Sequence, residues 1–103
     1  MTFDDWKAAL IPLGWVEESC GNRIYLESPL SISKRPIFLW INNVDGELTL
    51  EMINDPGDIY APGAWKRMRE QRWISFDLPP DIDTMLALMV GLQIPCTEQK
   101  ERA

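Results

Sequence analysis

The chain has 103 residues, sixteen acids against ten bases for a formal charge of −6, and no histidine. That length closes one hydrophobic core, and 46% hydrophobic with 25% charged residues is the composition of a folded domain, not of a disordered one. The missing histidine removes the commonest general base and transition-metal ligand, and two cysteines fall short of the four ligands of a structural zinc site. The composition therefore predicts a non-enzymatic binding protein without cofactor or metal.

Residues 2–13 read as a helix, with Thr2 as its cap, Asp4 and Asp5 at its positive end, and Phe3, Trp6, Leu10 and Leu13 spaced as one apolar stripe. Gly14 ends it. Residues 15–27 read as a hairpin around Gly21-Asn22, in which Ile24 and Leu26 alternate with Arg23, Tyr25 and Glu27. Glu17 and Glu18 interrupt the first strand and leave its register open. A loop rich in serine and proline over 28–36 follows.

The second hairpin has the clearest pattern. Strands over 37–42 and 47–53 flank Asn43-Val44-Asp45-Gly46, in which Asp45-Gly46 is a hairpin turn signal. A two-residue loop pairs Ile41 with Leu50 and Leu39 with Met52, whereas a four-residue loop shifts each partner by two and keeps the faces. One face is then Ile37, Leu39, Ile41, Leu48, Leu50 and Met52, predicted to enter the core. The other is mixed: Phe38, Trp40, Asn42, Glu47, Thr49, Glu51 and Ile53.

A turn cluster over 54–58 leads to a predicted helix over 62–72, with Trp65 and Met68 inward and Lys66, Arg67, Arg69 and Glu70 outward. Residues 73–78 alternate as a strand that places Ile74, Phe76 and Leu78 on one side, and Pro79-Pro80 stops it. A last helix over 81–92 carries Ile82, Met85, Leu86, Met89 and Val90 as its apolar face. The expectation is an α+β domain over 1–94, an antiparallel sheet of about five strands packed with three helices in the order αββββαβα, followed by a polar tail over 95–103.

The net charge belongs to the first half: residues 1–59 hold ten acids and four bases, residues 60–103 six of each. Such a surface repels phosphates and attracts basic partners, so direct nucleic-acid binding is not expected, and the basic run Lys66, Arg67, Arg69 and Arg72 reads as a solvated helix face. Glu47 and Glu51 share a strand face with Thr49 between them, alternate residues standing about 6.7 Å apart, and Asp45, Asp55 and Asp58 flank the same hairpin. With Trp40 as an aromatic anchor, these six residues form the candidate partner-binding set. The bland alternative is a solvated acidic face with Phe38 and Trp40 packed into the core.

Other chemistry is weaker. Asp81 and Asp83 are explained by the helix dipole, Cys20 has no histidine to act as its base, and the glycines form no phosphate loop. A nuclease pattern of a Pro-Asp element with a later Glu-x-Lys strand fails, because Asp55-Pro56 is reversed and Glu98-Gln99-Lys100 lies in the tail. Cys20 and Cys96 are expected as free thiols. Leu88 and Leu92 widen the last helix's apolar face and offer a homodimer seam as the alternative to core burial.

No run approaches the ~20 apolar residues of a membrane span, and Asp4 and Asp5 reverse the basic start of a signal peptide, so a cytoplasmic protein is expected. In size, charge and lack of catalytic motifs the chain resembles a broad class of small acidic proteins: virus-encoded inhibitors of bacterial defence systems, including anti-CRISPR-like ones, nucleic-acid mimics and toxin-immunity proteins. The resemblance implies a stoichiometric inhibitor of a partner with a basic surface, such as a nucleic-acid-binding enzyme. The alternatives are an immunity-type or homo-oligomeric accessory protein and a carboxylate-only metal-dependent hydrolase.

Overall fold

The computed structural model describes residues 1–34, 36–54 and 74–96. The predicted helix over 62–72, Asp55, Asp58 and the tail beyond Cys96 lie outside the described residues. Within them the chain is an α+β arrangement of two α-helices, α1 (Phe3–Leu10) and α2 (Ile82–Gly91), and five strands: β1 (Val16–Cys20), β2 (Arg23–Glu27), β3 (Ile37–Val44), β4 (Glu47–Asn54) and β5 (Ile74–Phe76). The strands pair in chain order and antiparallel throughout. No described helix is long and apolar enough to cross a membrane.

Helix α1 starts where the sequence places it, with Thr2 and Asp5 exchanging hydrogen bonds in a capping box. It ends three residues earlier than predicted, and Ile11–Leu13 tighten into a 3₁₀ turn. Pro12 is the reason, since it has no N–H for the carbonyl of Ala8 and its ring crowds that carbonyl. Gly14 then takes φ 106°, open to glycine at little cost, and turns the chain into β1.

The β3–β4 register selects between the two predicted loops. Ile41 faces Leu50 and Leu39 faces Met52, so the loop is Asp45-Gly46 alone, with φ 54° and 85°. Positive φ at both corners is the type I′ turn whose twist matches the strands. Asn43 Oδ1 accepts from the Gly46 N–H at 3.0 Å and closes it.

One face of the sheet supplies Leu26, Leu39, Ile41 and Leu50 to the main core, where they meet Trp6, Leu10, Trp15, Met85, Met89 and Ile94. Both helices therefore lie on that face. Val90 departs from its predicted place and is 73% exposed. Met85 and Met89 fix the centre of the buried stripe, and Val90 stands about 140° round the helix from Met85 at 3.6 residues per turn. Leu88 and Leu92 widen the stripe on the other side instead and pack against this core.

The loop after β2 extends the sheet through serine hydroxyls. Ser28 N–H donates to the Leu39 carbonyl at 2.9 Å and the Leu39 N–H donates to Ser28 Oγ at 2.8 Å. Ser31 and Ile37 repeat the exchange at 2.8 and 2.9 Å. Both serines are buried, so each hydroxyl supplies an acceptor that water cannot.

Candidate partner-docking face

Cross-strand register lines up the second face of the sheet. Glu27, Trp40 and Glu51 are direct neighbours across β2, β3 and β4, and Tyr25 and Asn42 are neighbours one step along. The predicted alternation is therefore right, and this face is covered as well as the first. Trp40 is 1% exposed and forms a second core cluster with Phe38 and Ile53, against which Tyr25 packs. Its ring lies 4.7 Å from that of Tyr25 and 5.7 Å from that of Phe38, both tilted, contacts worth ~0.5–1.5 kcal/mol each beyond their burial. Of the two readings of Phe38 and Trp40, core packing is the one the structure has.

Burial changes the chemistry of the two carboxylates beside Trp40. The Trp40 indole N–H donates to Glu27 Oε1 at 2.8 Å. Burial pushes the Glu27 carboxyl above its ordinary range, that hydrogen bond pulls it back down, and the nearby Glu18 adds to the rise. Glu51 is 8% exposed, and Asn42 Nδ2 donates to its Oε1. Its other oxygen and Asn42 Oδ1 are buried without a hydrogen-bond partner among the described residues. Burial raises the Glu51 carboxyl too, and Arg23 opposes the rise.

The remaining members of the candidate set stand apart from this pair. Asp45 and Glu47 are exposed at the β3–β4 turn; Asp55 and Asp58 lie outside the described residues. The acidic row predicted along β4 is thus not one surface: Glu47 faces water and Glu51, four residues on, is enclosed. On the edge strand β1, Val16, Glu17, Glu18 and Ser19 are all exposed. Glu17 shares the helix-bearing face with Leu26 and meets Lys7 of α1 at 2.6 Å, which raises the Lys7 ammonium through that hydrogen bond. Charge on a free edge also keeps other strands from adding to it.

Sequence reasoning missed a cleft of about 650 Å³ beside the same turn. Its wall joins the start of α1, Asn43, Gly46 and Leu48 of the hairpin, and Leu78-Pro79-Pro80 after β5. Phe3, Trp6, Leu48 and Leu78 give it apolar wall, and among the described residues Asp4 and the chain-terminal Met1 bring one carboxylate and one ammonium to its lining. Asp5 is committed to the helix cap, and the Thr2 hydrogen bonds lower its carboxyl below the usual value. Asp4, which the helix dipole alone explains in the sequence, lines the cleft and also acts on the Lys7 ammonium.

Among the described residues no three potential ligands converge on a metal position, and Cys96 is exposed and free. No family model, curated protein or solved structure matches the chain.

Proposed function

We propose that this chain is a small, cytoplasmic, non-enzymatic binding protein that acts stoichiometrically on a protein partner with a basic surface, such as a nucleic-acid-handling enzyme. The observation that supports this reading is the division of the hairpin carboxylates. Those enclosed beside Trp40 are pushed toward neutrality, whereas Asp45 and Glu47 stand exposed on a turn closed by a hydrogen bond from its own chain. A rigid acidic tip loses little conformational freedom on binding and raises association rates with a basic surface. Asp4 adds a third carboxylate beside that tip. Trp40 and Glu51 serve the interior here and are not contacts of the proposed surface.

The expected complex is one-to-one. Titrating the purified chain into a captured partner should end its activity at one equivalent, with scattering giving the summed mass of one copy of each. Loss of activity at far below one equivalent would mean turnover, and the reading would fall.

A further inference from the structure

We propose that the free edge of β5 pairs with the same edge of a second copy, across a two-fold axis at Ser75, to make one continuous sheet of two chains. The inference goes beyond the docking reading and uses none of its residues. The direction of the backbone groups fixes which atoms that edge offers. Antiparallel strands alternate between residue pairs that exchange hydrogen bonds and pairs that do not. The two-residue type I′ turn makes Val44 and Glu47 an exchanging pair, so Asn42 with Thr49 and Trp40 with Glu51 exchange as well. The serine loop agrees independently, because the N–H and carbonyl groups of Leu39 and Ile37 turn the other way, to Ser28 and Ser31. On β4 the groups of Leu50 and Met52 therefore point to β5, where they meet Phe76 and Ile74. The Ser75 N–H and carbonyl are left pointing outward, and among the described residues no strand lies beyond them.

The occupant follows from what this edge presents. Ile74, Ser75 and Phe76 are all exposed, the two apolar ones at 42% and 44%, and none carries a charge. A second copy set antiparallel about Ser75 matches each of these features. The two serines exchange N–H to carbonyl bonds, and each Ile74 falls opposite Phe76 of the other copy in a non-exchanging pair, the closer kind. An aromatic ring beside a β-branched side chain is a favourable cross-strand neighbour. Only Ser75 faces itself in that register, so the exposed Asp77 does not meet its own charge. The other edge of the sheet, β1, carries Glu17 and Glu18 and is guarded against addition, so pairing closes at two copies and does not run on into a fibre. Three residues a side are far fewer than the roughly 20–30 of a standard interface. The dimer is therefore weak, with a dissociation constant on the order of 100 μM, and comes apart at the concentrations where the one-to-one partner complex is read.

Sedimentation equilibrium of the full chain from about 10 μM to about 1 mM should show the mass climb from one copy toward two. Ser75→Pro removes the outward N–H and leaves the ladder to β4 whole, since an edge strand accepts proline where the nitrogen faces solvent. It should weaken the dimer at least tenfold with unchanged circular dichroism. A second readout holds even where the proline variant fails to fold. Ser75→Cys, in a chain that also carries Cys20→Ser and Cys96→Ser, should cross-link to itself under mild oxidation at least tenfold faster than Asp77→Cys in the same chain. Only the residue on the axis meets its own copy at a separation that a disulfide spans. A mass of one copy at every concentration would overturn the proposal. A dimer undiminished in folded Ser75→Pro would place the seam elsewhere, with the same result, as would equal cross-linking at the two positions.

Discussion

Replacing Glu51 by glutamine should stabilise the protein at neutral pH, and the gain should vanish in acid. The carboxylate is 8% exposed, one of its oxygens has no partner among the described residues, and Asn42 Oδ1 beside it is also unsatisfied. An unsatisfied buried polar group costs ~1–3 kcal/mol, more when charged. The amide of the variant keeps an acceptor for Asn42 Nδ2 and brings a donor for Asn42 Oδ1, so a gain of about 1–2 kcal/mol at pH 8 follows. At ~4–8 °C per kcal/mol for a domain of this size, the melting temperature should rise by at least about 4 °C. The sign with pH is fixed by the direction of the shift. Burial holds the folded carboxyl above its ordinary value of 4.5, so the folded state binds the proton more tightly than the unfolded one. Its stabilising contribution is complete below 4.5 and is lost as pH rises through the folded value. Wild type should therefore lose more stability than Glu51→Gln between pH 5 and pH 8, and the two should converge near pH 4.5. Thermal unfolding followed by circular dichroism at those pH values is the assay. A variant less stable at pH 8, or one with the wild-type pH slope, would refute the claim that an enclosed, underpaired carboxylate sits beside Trp40.

Two other substitutions read the fold directly. Ser28→Ala leaves the buried Leu39 N–H without its acceptor at 2.8 Å and should cost ~1–3 kcal/mol in denaturant unfolding; a loss below half a kcal/mol would mean that this hydroxyl is dispensable. Gln93 closes α2 at φ 59°, and the Gln93 and Ile94 N–H groups return to the carbonyls of Val90 and Met89, a Schellman motif. Gln93→Gly should add ~0.5–1 kcal/mol, the strain of a left-handed non-glycine residue less the added freedom of the unfolded chain, and an unchanged or lowered midpoint would contradict that end geometry.

What the sequence made legible was local. Asp45-Gly46 and the alternation around it specify hairpin, faces and turn because both the corner dihedrals and the period of two are written in consecutive residues. The cap of α1 is legible for the same reason, Thr2 accepting from the N–H three residues on, whereas Asp81, read as a dipole charge inside the last helix, is instead the N-cap of α2 and accepts from the Thr84 N–H. Boundaries set by competition were harder, since the apolar stripe of α1 continues to Leu13 while Pro12 withdraws the donor that would carry the helix there. The mixed face of the hairpin shows the main limit. Phe38, Trp40 and Ile53 alternate with Asn42 and Glu51, and no pattern within the strand decides whether such a face is wet or covered. The cleft was not legible at all, because it joins side chains from residues 1–6, 43–48 and 78–80, each with a sufficient local explanation as helix start, turn or strand stop.

The most direct measurement on the docking reading is a capture from native lysate at low and high salt with three baits: wild type, an Asp45→Asn, Glu47→Lys double variant, and Glu51→Gln. Wild type and Glu51→Gln should retain the same basic protein at low salt and release it at high salt, because exposed charges are screened while the buried carboxyl takes no part. The double variant should not retain it. If that partner stays on all three baits, or leaves with Glu51→Gln alone, the exposed acidic turn is not where this protein binds.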